Sequence, residues 1–139
     1  MSLSHPDSAP VARHQNGALS ALHAWIDSVN RHDLEAIVAI FASDASFFGT
    51  STQTLVSSSD GIRQYFDVVL KNYAPLKVAL GPVTVSELSP DSAVITGYDK
   101  WQVTLNGESV EGIGRLSVAV AFRDDHWRII SFHRSAMPD

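Results

Sequence analysis

Asp99 is the residue best placed to do chemistry, because it interrupts an otherwise apolar row of a predicted strand. Side chains alternate across a strand, so its face is shared with Ala93, Ile95, Gly97, Trp101, Val103 and Leu105. A carboxylate in such a row must be paired, hydrogen-bonded or protonated, since burial of an isolated charge is costly. Two interpretations follow. Either Asp99 lines a pocket and transfers a proton or binds a polar ligand group, or the sheet bends near Gly97 and Asp99 meets solvent or an arginine.

His133 is the second candidate, at the end of the last predicted strand and in register with Trp127, Ile129 and Ser131. If neighbouring strands bring it beside Asp99, the two residues form an acid–base pair. The alternative is a hydrogen-bonded structural histidine. Both residues are therefore catalytic candidates, and whether the protein is an enzyme stays open.

Metal and cofactor chemistry have no support in the sequence. His5, His14, His23 and His32 recur at intervals of nine residues, which do not stack on one helical face, and no H-x-x-x-H pair occurs. Cysteine is absent, which excludes thiolate ligands, thiol nucleophiles and disulfides. Phosphate-binding loops and a G-x-S-x-G elbow are also missing. We predict neither a metal site nor a cofactor.

Three helices precede the strands. Between Asn16 and Arg31 apolar residues recur at three- and four-residue spacing, which predicts an amphipathic helix. Asp33 is a suitable N-cap for a short helix from Leu34 to Phe41. A short strand from Ala45 to Gly49 follows. Ser58 or Ser59 then begins a helix over residues 61–72, which places Tyr65 and Phe66 on its buried side.

Four long strands make up the rest of the chain. They are predicted over residues 77–88, 93–105, 111–123 and 127–133. Asn106-Gly107 is the strongest short signal for a hairpin, and each connection is short enough to make consecutive strands antiparallel neighbours. Helices packed on one face of such a sheet predict an α+β fold. Residues 1–13 are expected to be a flexible leader and residues 14–139 a single domain.

Composition limits the partners. The chain has 139 residues, a net charge of −5 and ten scattered Lys and Arg residues, so no basic face is available for nucleic acid or an anionic membrane. No apolar run is long enough to cross a bilayer. No signal peptide is evident, and we expect a cytoplasmic protein. A basic amphipathic helix is also missing, so calmodulin recognition is not expected.

The strand over residues 111–123 has two unlike faces. Leu116, Val118, Val120 and Phe122 form a bulky set that should face the helices, whereas Ser117, Ala119 and Ala121 form a small, weakly polar set on the opposite face. A flat surface of this kind suits packing against a second subunit. We therefore expect a homodimer through this outer face, the alternative being an ordinary exposed sheet.

Several segments resemble the nuclear transport factor 2-like superfamily. They are DLEA at residues 33–36, FFGT at 47–50, GIRQYF at 61–66, WRII at 127–130 and HRSAMP at 133–138. The last two look like the SnoaL-like and SgcJ/EcaC-type bacterial proteins related to the association domain of calcium/calmodulin-dependent protein kinase II. The resemblance covers roughly residues 15–138. It implies a cone-shaped fold in which a curved mixed or antiparallel sheet wraps around three helices, with a pocket at the open end and dimers through the outer sheet face.

The resemblance does not imply one chemistry, since this superfamily includes isomerases, dehydratases, cyclases and assembly domains. Ketosteroid isomerase-like members use a tyrosine of the first helix and an aspartate after the first strand. Trp25 and Gly49 stand at those positions, and glycine cannot abstract a proton. The association domain has buried arginines in its pocket, but the matching positions here are Asp99 and Val118. The Arg63, Tyr65 and Phe66 trio does match, either as pocket residues or as helix-packing residues.

Three hypotheses follow. The first is a self-associating domain that binds a small, largely apolar molecule, with a lining of Trp25, Phe48, Tyr65, Phe66, Asp99, Trp101 and His133. The second is an isomerase, cyclase or dehydratase that uses Asp99 and His133 as acid and base. The third is a pure oligomerisation module. A hollow above roughly 300 Å³ that both Asp99 and His133 reach would favour binding or catalysis, and a filled interior would favour assembly.

Overall fold

The structure is a computed structural model that describes residues 17–139. The predicted leader, residues 1–13, lies outside the described residues, as do His5 and His14. The described part contains three helices and five strands, which we number in chain order. They are α1 (Ala18–Asn30), α2 (Leu34–Ile40), β1 (Phe41–Phe48), α3 (Ser59–Asn72), β2 (Leu76–Ser89), β3 (Ser92–Leu105), β4 (Glu108–Arg123) and β5 (His126–Ala136).

Both predicted helix caps are confirmed. The Asp33 carboxylate accepts a hydrogen bond from the Ala36 amide at the start of α2, at 3.1 Å. The Ser58 hydroxyl does the same for Gly61 at the start of α3, at 3.0 Å. Each cap satisfies a backbone N–H that the first helical turn leaves unpaired. Helix α2 ends at Ile40, one residue earlier than predicted, because Phe41 already belongs to β1.

The five strands form one mixed sheet in the order β1-β5-β4-β3-β2. Strands β2 to β5 are consecutive antiparallel neighbours, as predicted. Strand β1 is parallel to β5, and this pairing makes it longer than predicted: Phe41 pairs with Ile129, four residues before the expected start at Ala45. The Asn106-Gly107 hairpin is confirmed, with φ of 52° and 81°, as a two-residue turn with both residues left-handed requires.

The core lies between the helices and one face of the sheet, which we call the inner face. Leu116, Val118 and Val120 of β4 are buried there, as predicted for the bulky set. Ser117 is exposed and Ala119 half-buried on the opposite, outer face. The architecture is therefore α+β, with helices on one side of an open sheet. None of the helices in residues 17–139 is long and apolar enough to cross a membrane.

Candidate functional site

A cavity of about 280 Å³ lies between α1, α3 and the inner face of the sheet. Buried apolar side chains form its deep end, among them Trp25, Phe47, Phe66 and Phe132. Exposed residues surround its opening, including Thr50, Ser51, Tyr73 and Val110. The volume falls just below the roughly 300 Å³ at which typical ligand pockets begin. Neither Asp99 nor His133 is in its lining, so the criterion set from the sequence for binding or catalysis is not met in full, although the interior is not filled.

Arg134 of β5 is the one charged side chain among the described residues of the cavity lining. It forms a bidentate ion pair with Asp99 of β3: Nε donates to Oδ2 at 2.6 Å and Nη2 donates to Oδ1 at 2.7 Å. Its Nη1 donates to the Thr50 hydroxyl at 2.8 Å. The Asp99 side chain is fully buried and that of Arg134 is 17% exposed. The buried carboxylate is thus paired, as its position requires.

Gly114 of β4 allows this ion pair to form. It lies between the two charged residues, paired with Asp99 on one side and with Ala136 on the other. A Cβ at Gly114 would be 2.4 Å from Nη2 and 2.6 Å from Cζ of Arg134. The guanidinium therefore crosses β4 in the space that a side chain would otherwise fill. Gly112 likewise leaves space above β4 for the ring of Trp101, whose atom Cζ2 would be 2.5 Å from an added Cβ.

The proposed pairing of Asp99 with His133 is wrong, because a β-bulge reverses the alternation of β5. Val120 pairs with Ile129, but the next residue, Ala119, pairs with Ser131. Ile130 is therefore an extra residue, and every side chain after it changes face. Trp127 and Ile129 share the inner face, as predicted, whereas His133 points to the outer face and is exposed. Arg134 takes the inward place that His133 was expected to hold.

Phe48 is also absent from the lining. It pairs with His133 across the β1–β5 ladder, and the two rings lie on the outer face with centroids 5.4 Å apart. Phe47 takes its place, with its ring stacked on that of Phe132 at 5.1 Å. The four other aromatic candidates, Trp25, Tyr65, Phe66 and Trp101, line the cavity. Asp99 does not line the cavity and is connected to it through Arg134.

Of the Arg63, Tyr65 and Phe66 trio, only the two aromatic residues line the cavity. The Tyr65 ring lies against the backbone at Gly49, where an added Cβ would be 2.3 Å from Cζ. Arg63 instead forms an exposed ion pair with Glu35 and so joins α3 to α2. The hydrogen bond from Arg63 to Glu35, together with the carboxylate charge, raises the pKa of Arg63 above its ordinary value. Arg63 thus acts as a helix-packing residue.

Proton-transfer groups are scarce in this cavity. Across residues 17–139 its lining contains no carboxylate and no histidine. Both oxygens of Asp99 are already bonded to Arg134. The buried Nε1–H of Trp25 has no acceptor among the described groups, and no cluster of His, Asp and Glu in this part of the chain could hold a metal ion. What the arrangement offers is apolar surface, aromatic rings and hydrogen-bond donors.

Arg134 was not among the site residues predicted from the sequence, although two signals could have pointed to it. A cation nearby is one way to satisfy a carboxylate in a row of apolar residues, and Arg134 follows His133 directly. The glycines at 112 and 114 share the inward row of β4, which indicates that large side chains from neighbouring strands cross it. The inward residue of β5 was predicted wrongly because a one-residue bulge exchanges the inward and outward positions after it. Such a bulge has no clear signature in the sequence.

The architecture recurs in solved structures. A Xanthomonas campestris protein named for the calcium/calmodulin-dependent protein kinase II association domain is 28% identical to this chain, with a TM-score of 0.79, and the match covers 87% of this chain and 86% of that one. A Streptomyces avermitilis protein of the NTF2-like family, named as a dehydratase, is 15% identical with a TM-score of 0.81, covering 89% and 96%.

A third structure, an NTF2-like protein with a cystatin-like fold from Novosphingobium aromaticivorans, is 12% identical with a TM-score of 0.80, covering 95% and 87%. At such identities the last two comparisons establish the fold alone. No curated protein matches the chain. The SnoaL-like domain family matches residues 18–139, which include all the helices and strands described above. The chain therefore belongs to the SnoaL-like domain family.

Proposed function

We propose that this protein binds a small, largely apolar molecule in the cavity between α1, α3 and the sheet. The observation that carries the proposal is an unfilled, mostly apolar hollow of about 280 Å³ with a single charged side chain, that of Arg134, among the described residues of its lining. Concave apolar sites with few polar groups are typical of small-molecule binding. Trp25, Tyr65, Phe66 and Trp101 supply aromatic contact area.

Binding is favoured over the two other hypotheses for separate reasons. The acid–base mechanism needed Asp99 and His133 together, and these residues lie on opposite faces of the sheet. A pure oligomerisation module needs no hollow, whereas an unfilled apolar cavity forfeits packing contacts. The dehydratase named among the structural neighbours shares the fold, and fold does not determine chemistry.

The test blocks the cavity opening without disturbing the core. Val110 of β4 lines the opening and is 37% exposed, and the adjacent Ser109 is exposed on the opposite face of the strand. We expect the neutral fluorophore N-phenyl-1-naphthylamine to bind the wild-type protein saturably, with a rise in emission. Val110→Trp should abolish that rise and Ser109→Trp should preserve it. Non-saturable emission, or an equal loss in both variants, would count against the proposal.

We further propose that the outer face of the sheet pairs with a second copy of the chain. Ser117, Ala119 and Ala121 are small, so this part of the face is flat, and Tyr98 on the adjacent strand is 42% exposed. Burial of such a surface suits a two-fold symmetric dimer. Light scattering at micromolar concentration should give twice the chain mass, and Ala119→Arg should give a monomer with the same circular dichroism. A wild-type monomer would contradict this assignment.

A further inference from the structure

The charge balance at Arg134 restricts the polar group that a ligand can carry. Asp99 contacts this guanidinium through both of its oxygens, at 2.6 and 2.7 Å, so the positive charge is already compensated. Across the described residues the lining contains no lysine, histidine or second arginine. An anionic ligand would therefore bring an uncompensated negative charge into a site of low dielectric, which is unfavourable.

Hydrogen-bonding capacity nevertheless remains at Arg134. A guanidinium has five N–H groups, and its contacts with Asp99 and Thr50 use one on Nε, one on Nη2 and one on Nη1. One N–H on Nη1 and one on Nη2 have no acceptor among the described residues. A ligand oxygen that accepts these hydrogen bonds adds no charge. A cationic ligand, by contrast, meets no free acceptor on Arg134 and is repelled by it.

We infer that the ligand is a neutral aromatic or alicyclic carbonyl compound whose oxygen accepts hydrogen bonds from Arg134. This inference rests on the proposed function, binding of a small molecule in the cavity. The carbonyl group belongs at the side of the cavity where Arg134, Thr50 and Gly114 lie, and the ring system lies against Trp25, Phe66 and the neighbouring aromatic residues. Asp99 positions the guanidinium and cancels its charge, and so selects a carbonyl group over a carboxylate.

Three ligands of nearly equal size test this inference by isothermal titration calorimetry at pH 7.5. They are 2-acetylnaphthalene, a neutral ketone; 2-naphthoate, a carboxylate; and 2-ethylnaphthalene, which has no acceptor. We expect the wild-type protein to bind the ketone at least about tenfold more tightly than the carboxylate, and more tightly than the hydrocarbon, because only the ketone accepts hydrogen bonds without adding charge.

Asp99→Asn removes the negative charge that compensates Arg134. The asparagine at position 99 has nearly the same shape as the aspartate. This variant should lower the ketone preference and raise the affinity for 2-naphthoate, because carboxylates form strong bidentate pairs with arginine. Asp44→Asn is the matched control: it makes the same substitution in an exposed ion pair with Arg123, away from the cavity lining, and should leave all three affinities unchanged.

The affinities of the wild-type protein for the three ligands test the preference for a neutral carbonyl group even if Asp99→Asn does not fold. Tighter or equal binding of 2-naphthoate would overturn the inference, as would equal binding of the ketone and the hydrocarbon. In either case the proposed function would stand, because a naphthalene would still occupy the cavity. Failure of all three ligands to bind would overturn both.

Discussion

Substitution of Gly114 by alanine tests the ion pair between Asp99 and Arg134 without replacing either charged residue. The added Cβ would lie 2.4 Å from Nη2, 2.6 Å from Cζ and 2.7 Å from Nε of Arg134, all closer than non-bonded atoms approach. The guanidinium must move away from β4, and two of those three atoms are the ones that donate to Asp99. The expected result is a buried carboxylate that has lost its bidentate partner.

Two opposing effects set the size and the sign of the change. Loss of the partner of a buried charge costs about 3–5 kcal/mol. In a strand without a steric clash, alanine is more favourable than glycine by roughly 0.5–1 kcal/mol, because glycine loses more conformational entropy on folding. The full cost applies when the whole bidentate contact is lost, and a shift of the flexible Arg134 side chain that keeps part of it costs less. We therefore expect Gly114→Ala to lower the free energy of unfolding by up to about 2–4 kcal/mol. This corresponds to a fall in the urea midpoint of up to about 1–2 M.

Urea denaturation followed by tryptophan fluorescence and circular dichroism measures this change. The control is the same substitution in an Asp99→Asn/Arg134→Ala background, which lacks both the buried charge and the side chain above Gly114. There Gly114→Ala should be neutral or stabilising by up to about 1 kcal/mol. A stabilising effect of Gly114→Ala in the wild-type background would refute the reasoning, because it would show that Arg134 moves aside and keeps its bond to Asp99.

Three further substitutions test the elements that hold the site. Asn30→Ala removes the side chain that accepts from the Val78 amide at 2.7 Å and donates to the Val78 carbonyl at 2.9 Å; we expect a loss of about 1–3 kcal/mol by urea denaturation, and no loss would mean that water replaces both bonds. Asp33→Ala removes the N-cap of α2 and should cost about 1 kcal/mol in thermal unfolding, whereas Asp33→Asn should cost much less; equal costs would point to charge rather than capping. Phe132→Ala removes the ring at the centre of the aromatic cluster at the cavity floor. It should lower the free energy of unfolding by about 3–5 kcal/mol. A decrease below about 1 kcal/mol would show that neighbouring side chains fill the space.

The helix positions, the antiparallel order of β2 to β5 and the inward residues of β4 followed from the sequence, because they depend on local signals. Apolar spacing determines which side of a helix is buried, and Asp33 and Ser58 mark helix starts through hydrogen bonds three residues away. The parallel β1–β5 pairing is different, since the two strands are far apart in the chain and no turn specifies their register. That is why β1 begins at Phe41, earlier than the sequence predicted.

The site was predicted in part, for a related reason. The sequence placed Asp99 inward correctly because β3 alternates without interruption from Ala93 to Val103, opposite an equally regular β4. Its partner was chosen wrongly, because that choice depends on counting residues along β5. The count fails where Ile130 is inserted, and the pattern of residue types around Ile129 and Ile130 is equally compatible with a regular strand.

Ile130 thus determines which side chain of β5 reaches the cavity. With a regular β5, His133 would be inward and could exchange protons, and Arg134 would be outward. With one extra residue the inward group carries a permanent charge, and it cancels that of Asp99 instead of accepting a proton from it. Gly114 completes the arrangement, since without the space above it the guanidinium could not cross β4 to reach Asp99. The bulge and the glycine together leave Asp99 paired with Arg134 and separated from His133, as a charge-compensated group that donates hydrogen bonds. This arrangement supports the proposal of binding over that of acid–base chemistry.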